Sequence, residues 1–176
     1  KGPFELNKSG TLERPIVFRG PAEGEAALEA DGVGGNSRIV TLNGAHHLHF
    51  EGLTFRSAHT AVYAAKPGGS DGLVIRRCKI HDVVYGINTG CIDSRNWYIA
   101  DNDFVGINPT WYPRPPVTYM SPGHTGVNIY GQGHVICYNR ITRFSDAAAI
   151  YNFGPPVDDV LKHCVNIDFY NNDLSW

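Results

Sequence analysis

Residues 97–104 read WYIADNDF, and residues 134–141 read HVICYNRI. In both segments apolar and polar side chains alternate for a few positions before an asparagine interrupts the alternation. Segments 48–55 (LHFEGLTF), 73–80 (LVIRRCKI) and 167–174 (IDFYNNDL) follow the same pattern. An alternation of period two predicts short β-strands, and its recurrence predicts a repeat fold. The marker positions of the five segments, separated by 26, 24, 37 and 33 residues, are Gly52, Cys78, Asn102, Asn139 and Asn172.

A second series of short apolar segments interleaves with the first. Each member has a small residue, then a β-branched residue, then a polar or aromatic one. The spacing from Val62 to Ile87 is 25 residues, and the spacing from Val127 to Ile150 is 23, so the basal period is near 24. The four members are Ala61-Val62-Tyr63, Gly86-Ile87-Asn88, Gly126-Val127-Asn128 and Ala149-Ile150-Tyr151.

The two series together favour one kind of repeat fold over its competitors. An α-solenoid needs apolar residues at helical spacing over ten or more positions, and this chain lacks that spacing. A β-sandwich has short strands but no reason to keep a constant register. A parallel β-helix does keep one, because equivalent residues of successive coils stack about 4.8 Å apart. Three asparagines in one register then predict a buried ladder of side-chain amides.

Composition excludes several classes of function. Charged residues make up 18% of the chain and the net charge is −2, so no basic surplus is available to hold a nucleic acid. The apolar runs are too short for a transmembrane helix, so no membrane partner is expected. The four cysteines have no CxxC spacing, which argues against a zinc knuckle. Cys78 and Cys137 lie in strand-like segments and are interpreted as small core or wall residues.

The repeats resemble those of the right-handed parallel β-helix proteins of the pectate-lyase-like superfamily. The resemblance covers nearly the whole chain and rests on GTLERPIVFRG (10–20), HLHFEGLTFRSAHTAV (47–62), LVIRRCKIHDVVYGI (73–87), WYIADNDFVGI (97–107) and VICYNRITRFSDAAAIYNFG (135–154). It implies an all-β, right-handed, single-stranded parallel β-helix of about five to six coils, forming one domain over 1–176. The last segment stops within a coil, so we expect further coils beyond it in a longer parent chain.

The same resemblance implies a secreted enzyme acting on a polysaccharide, with a substrate groove on the outer face of the first parallel sheet. Alternation places Val62, Ile87, Val127 and Ile150 inward. The predicted substrate-binding column then faces outward and comprises Tyr63, Asn88, Asn128, Tyr130 and Tyr151. Amides and aromatic rings suit a sugar, whose hydroxyls bond to amides and whose C–H faces lie on rings. The alternative is an ordinary solvated strand face.

Two insertions interrupt the period on either side of this column, at 108–124 and 154–164. The first is rich in proline and carries Trp111, Tyr112 and Arg114, which are further candidates for substrate binding. Long loops in compact folds are usually functional or disordered. We therefore predict that the two insertions flank the groove, although a packing flap would have the same length.

Asp82, His124 and Asp146 precede the groove strands of successive coils and are the candidate catalytic residues. A pair of carboxylates could hydrolyse a glycosidic bond. A His or Lys base with an arginine could instead carry out β-elimination on a uronate, with Ca²⁺ as an optional cofactor. No Lys/Arg pair occurs in the groove strands, which favours hydrolysis.

The leading hypothesis is thus a secreted glycoside hydrolase. A polysaccharide lyase and a non-catalytic glycan-binding β-helix are the alternatives. His47 and His49 share a strand face and could bind a metal, but an exposed strand surface explains them equally, so no metal site is predicted.

Overall fold

The structure is a computed structural model that describes residues 1–65, 68–107, 124–150 and 164–175. Every regular element within these ranges is a β-strand. The strands are β1 (Phe4–Leu6), β2 (Ile16–Arg19), β3 (Ala27–Gly32), β4 (Arg38–Leu42), β5 (Leu48–Glu51), β6 (Thr54–Ala64), β7 (Val74–Arg76), β8 (Lys79–Asn88), β9 (Tyr98–Ala100), β10 (Asp103–Val105), β11 (Thr125–Ile129), β12 (Val135–Cys137), β13 (Arg140–Thr142), β14 (Asp146–Ile150), β15 (Asp168–Tyr170) and β16 (Asp173–Ser175).

The strands form two parallel sheets, as a β-helix requires. A six-stranded sheet has the order β2-β5-β7-β9-β12-β15, so each coil contributes one strand to it. A ten-stranded sheet has the order β1-β4-β6-β8-β10-β13-β16, with β3 paired to β6, β11 paired to β8 and β14 paired to β11. The long strands β6 and β8 turn within their length at Ser57 (φ 59°) and Asp82 (φ 53°). The predicted all-β parallel β-helix is confirmed.

Side-chain amides form the predicted ladder between the two sheets. The backbone N–H of Cys78 donates to Asn102 Oδ1 at 2.9 Å, and Asn102 Nδ2 donates to Asn139 Oδ1 at 2.9 Å. Asn139 Nδ2 donates in turn to Asn172 Oδ1 at 3.0 Å. Asn102 and Asn139 are buried, so each amide satisfies polar groups that water cannot reach.

The core consists of apolar columns that run along the helix axis. One column aligns Phe50, Ile75, Ile99, Ile136 and Phe169 across the six-stranded sheet. Each fully buried side chain of this kind contributes about 1.5–3 kcal/mol relative to exposure. Leu174 is aligned with buried Ile141 but is 50% exposed, because the described residues place no coil above it.

The cysteines are consistent with the interpretation of Cys78 and Cys137 as core residues, since both are buried and all four thiols are free. Burial raises the pKa of the Cys78 thiol to about 11, so it stays protonated at neutral pH and is a poor nucleophile. Among the described residues there is no helix with the length and apolar character needed to cross a membrane.

His134 is a buried titratable group that ties two coils together. Its Nδ1 accepts a hydrogen bond from the backbone N–H of Trp97 at 3.1 Å, and its Nε2–H donates to the Tyr130 carbonyl at 2.7 Å. Both bonds are satisfied only by the neutral imidazole, because a proton on Nδ1 would face the Trp97 N–H. Burial lowers the pKa of His134 to about 4.

We expect this histidine to make stability depend on pH. The folded pKa lies below the unfolded value, so the stabilising contribution is complete above pH 6.5 and is lost as the pH falls toward 4. The loss should reach about 3 kcal/mol of unfolding free energy. Urea denaturation of the wild type and His134→Gln at a series of pH values would measure it. Equal pH dependence of the two proteins would contradict the assignment.

Candidate functional site

The chain bends at the same place in each coil just before the candidate groove. One column of aligned residues crosses the neighbouring strands and consists of Thr60, Tyr85, Thr125 and Asp146. The next residue of each strand has no aligned partner, and the alignment resumes one residue later. Glycine occupies two of the skipped positions, and a Cβ at Gly86 would lie 2.9 Å from Cδ1 of Phe104. A larger residue would therefore collide with the core at this bend.

Beyond the bend, one row of side chains lies on the outer face of the sheet. Val40, Val62, Ile87 and Val127 align and are buried in the core, so the residues that follow them face outward. We call these residues the outer row: Glu5, Thr41, Tyr63, Asn88, Asn128 and Ala149. The structure thus brings Tyr63, Asn88 and Asn128 into one column, as the sequence predicted.

The predicted alignment of the next coil is wrong by two residues. Val127 lies opposite Ala148, and Ile150 lies opposite Ile129 rather than Val127. Ile150 was predicted to face inward but is 59% exposed. The register is set by the backbone N–H of Asp146, which donates to the His124 carbonyl at 3.0 Å. Ala148 therefore takes the inward position predicted for Ile150, and Ala149 takes the outer-row position predicted for Tyr151.

A group of cationic and aromatic side chains lies beside the outer row, and we call it the Arg38 cluster: Arg38, His59, Tyr63, Tyr85 and His124. The guanidinium carbon of Arg38 is 3.8 Å from the centroid of the Tyr63 ring, a cation–π contact. The rings of His59 and Tyr85 meet edge to face with centroids 5.2 Å apart. Tyr63 and Tyr85 are both half-buried, so a bound molecule can reach them.

The two histidines occupy equivalent positions on β6 and immediately before β11. Thr60 and Thr125 both lie opposite Tyr85, one on each side, and a histidine precedes each threonine. Two strand spacings separate their backbones, which is about 10 Å. Burial and the nearby positive charges of Arg38 and His124 lower the pKa of His59. Its Nδ1 lies 3.2 Å from Thr60 Oγ1.

Sequence reasoning missed Arg38, His59 and Tyr85. A signal for His59 was present, because HTAV at 59–62 repeats as HTGV at 124–127. Arg38 carries no such signal. The sequence favoured hydrolysis because the groove strands carry no Lys/Arg pair. Arg38 weakens that argument, since it places one arginine at this face.

The three predicted catalytic residues do not all lie together. Asp146 is exposed and lies opposite Thr125, next to buried His124. Asp82 lies at the turn in β8, three residues before Tyr85, and its carboxylate accepts a hydrogen bond from His81 Nδ1 at 2.8 Å. Two strand spacings and three residues separate Asp82 from Asp146, about 10 Å in each direction.

Other predicted binding residues vary in what the structure shows of them. Tyr130 is half-buried, and its backbone N–H donates to Thr89 Oγ1 at 2.6 Å. Trp111, Tyr112, Arg114 and Tyr151 lie outside the described residues, as do 108–123 and 154–163 of the two insertions. Their part in a groove stays a prediction.

Two further observations mark the outer row as a place where a ligand can bind. A cavity of about 380 Å³, lined by Glu5, Asp31, Arg38 and Thr41, lies at its first coils and is within the size range of ligand pockets. Farther along, Asn128 is 4% exposed, and no donor in the described part of the chain bonds to its Oδ1. A buried amide oxygen without a donor costs about 1–3 kcal/mol, which a ligand hydroxyl would offset.

Within the described ranges, no three His, Cys, Asp or Glu residues come close enough together to hold a metal ion. His47 and His49 line a separate cavity with Asp71. The optional Ca²⁺ stays a prediction of the sequence.

No protein-family model and no curated protein matches this sequence. Among solved structures, the chain is similar to an alginate lyase from Paenibacillus sp. str. FPU-7, with a TM-score of 0.52 and 14% sequence identity. The match covers 98% of this chain and 62% of the lyase, so the chain spans less than two thirds of that enzyme's length. At this identity the likeness supports the fold alone.

Proposed function

We propose that the protein cleaves a polysaccharide lying along the outer row, by β-elimination at a uronate residue. The observation that carries the proposal is the Arg38 cluster, which combines an arginine, two histidines and two half-buried tyrosines. The likeness to a solved alginate lyase agrees with this choice of reaction. Secretion stays a prediction from the sequence.

Elimination at a uronate needs three functions, and the cluster has a residue for each. A cation must neutralise the carboxylate so that the proton on C5 becomes acidic, and a guanidinium does this with two parallel hydrogen bonds. A base must remove that proton. An acid must protonate the glycosidic oxygen as the C4–O bond breaks and the C4–C5 double bond forms.

We assign these functions to Arg38, His59 and Tyr85. The lowered pKa of His59 keeps its imidazole neutral, and when Nδ1–H donates to Thr60 Oγ1 the lone pair of Nε2 is available to accept the C5 proton. Tyr85 contacts the same ring and supplies the proton to the leaving oxygen. His124 and its neighbour Asp146 flank the other side of Tyr85, where we propose that the exposed Asp146 contacts an adjoining sugar.

Hydrolysis, which the sequence favoured, has less support from the described residues. It needs two carboxyl groups about 5–9.5 Å apart. Asp82 and Asp146 are separated by about 10 Å both along and across the strands. The Asp82 carboxylate is also engaged in a hydrogen bond with His81. A catalytic role for Asp82 is therefore left as a prediction of the sequence alone.

The experiment that tests the proposal is a degradation panel. The protein would be incubated with polymannuronate, polyguluronate and polygalacturonate, and with neutral glucan and xylan as controls. Elimination predicts a rise in the ultraviolet absorbance of the new double bond with at least one polyuronate. Release of reducing ends without that absorbance would contradict the proposed reaction, and so would inactivity on every polyuronate.

We expect the acid limb of the pH profile of kcat/KM to reflect the protonation of His59. A general base must be neutral, so kcat/KM falls as the pH drops through its pKa, which lies below the ordinary 6.5. The midpoint should therefore lie below pH 6.5 in the wild type. In Arg38→Ala it should move upward, because a positive charge that opposes protonation is removed.

His59→Gln supplies the control for this profile. It keeps a hydrogen-bonding side chain but cannot titrate, so the limb should disappear along with most of the activity. Persistence of the same limb in His59→Gln would show that another group is the base.

A further inference from the structure

A second aromatic surface lies on the other sheet, away from the outer row, and the proposed reaction does not use it. Tyr98, Tyr138 and Tyr170 come from three successive coils of the six-stranded sheet and are 38%, 54% and 44% exposed. We call these three residues the tyrosine face. Tyr138 and Tyr170 meet edge to face with centroids 5.7 Å apart. Two strand spacings, about 10 Å, separate β9 from β15, so the face is elongated along the helix axis.

The face is held in place from beneath by one buried thiol. Cys137 lies opposite Tyr170 and Ala100, and its Sγ is 3.9 Å from the hydroxyl of Tyr98. Hydrogen bonding to the same thiol raises the pKa of Tyr170 to about 12. Both hydroxyls are therefore protonated at neutral pH. The rings are positioned by contacts within the chain, and their outer surfaces stay open.

Tyr138 occupies a backbone position that does not favour a tyrosine. Its φ is 56°, in the left-handed region, and it follows β12 at the turn where equivalent coils place Gly52, Arg77, Asp101 and Asn171. Gly, Asn and Asp adopt this conformation most easily, and a bulky residue there is strained. More than half of its surface is exposed, so burial does not account for the ring. Tyr138 therefore combines a strained backbone conformation with a ring that gains little stabilisation from burial in the core.

The size and charge of the face favour one kind of ligand. Its exposed ring surface amounts to roughly 300 Å², well below the roughly 800 Å² per partner of a stable protein interface. The neighbouring residues Asp101 and Asp168 are exposed carboxylates, and nearby Arg140 is paired with Asp103 at 3.1 Å. Arg77 lies beside Asp101 at the equivalent turn, so the rim carries both signs of charge and offers no basic surplus to an anionic ligand. Open rings with carboxylate and amide neighbours match the C–H faces and hydroxyls of neutral sugars.

We propose that the tyrosine face is a binding site for a neutral glycan chain, separate from the groove that acts on substrate. It would hold the protein on a neutral polymer while the Arg38 cluster acts on an acidic one. Only the groove offers an arginine cluster to a carboxylate, so an acidic chain has no such partner at the tyrosine face.

Affinity electrophoresis in gels containing glucomannan, xylan or mixed-linkage β-glucan tests the proposal, with calorimetry on the hexasaccharide of any polymer that slows migration. The informative variant is Tyr138→Asn combined with Tyr170→Ser. The first change installs the residue type that an equivalent turn uses at Asn171, so the variant should fold at least as well there. Val17→Ala is the matched control, since Val17 is 41% exposed on the same sheet.

We expect at least one neutral polymer to slow the electrophoretic migration of the wild type, and to slow that of Val17→Ala and Arg38→Ala equally. The double variant should bind its hexasaccharide at least about tenfold more weakly. It should still cleave polyuronate at the wild-type rate, which separates this test from that of the groove. The inference is overturned if no neutral polymer slows the wild type, if the double variant binds as well as the wild type, or if Arg38→Ala abolishes the binding.

Discussion

Replacing Asn139 with alanine should lower the free energy of unfolding by about 3–6 kcal/mol. Asn139 Oδ1 accepts from both the backbone N–H and the Nδ2 of Asn102, at 3.0 and 2.9 Å. Its own Nδ2 donates to the Ile99 carbonyl at 2.9 Å. Alanine would remove the partner that Asn139 gives to two buried groups, the Asn102 N–H and the Ile99 carbonyl, at a cost of about 1–3 kcal/mol each. Asn102 Nδ2 keeps its bond to the Ile75 carbonyl and loses only the second one, which costs about 1 kcal/mol. Urea denaturation followed by circular dichroism would measure the change.

Asn36→Ala is the control for this experiment. Asn36 is exposed in the turn before β4, so the same substitution there should change stability by less than about 0.5 kcal/mol. A stability loss for Asn139→Ala no larger than that of Asn36→Ala would show that the amide ladder does not hold the coils together.

Replacing Arg38 with alanine should reduce kcat/KM on a polyuronate by about 100–1000-fold, the range seen when a group that stabilises developing charge is removed. The guanidinium is positioned by its stacking on Tyr63, so it can meet a carboxylate bound on the outer row. Steady-state rates from the ultraviolet absorbance of the unsaturated product would give the ratio. Arg38→Lys keeps the charge but not the two parallel hydrogen bonds, so it should fall between the wild type and alanine.

The matched control is Arg140→Ala, which removes the same charge from an exposed pair with Asp103. It should leave kcat/KM within about twofold, because Arg140 lies outside the Arg38 cluster and its surface ion pair contributes only about 1 kcal/mol or less to stability. Urea denaturation of both variants would show that each is folded. If the two variants lose activity equally, Arg38 has no specific part in the reaction.

The fold could be predicted because its main determinants are local. Alternation of period two marks each strand, and an amide that must be bonded inside a stack recurs in one register at Asn102, Asn139 and Asn172. The register of Tyr63, Asn88 and Asn128 followed from the same repeat.

The candidate site was harder to predict because stacking joins residues far apart in sequence. Arg38 reaches Tyr63 from the preceding coil, and coils of unequal length hide that neighbourhood in the sequence. The slip at Ile150 had a different cause. Two overlapping segments, at 147–149 and 149–151, fit the same loose pattern of small and apolar residues. The pairing of β11 with β14, which begins with the bond from the Asp146 N–H to the His124 carbonyl, uses the first.

The most direct test of the proposed reaction is mass spectrometry of polyuronate products formed in oxygen-18 water. Elimination adds no water across the cleaved bond, so we predict unsaturated products from the wild type, with no more label than a pre-formed uronate oligosaccharide takes up by exchange at its reducing end, and almost no product from Arg38→Ala. Saturated products that carry one oxygen-18 at each new reducing end would show hydrolysis and contradict the account.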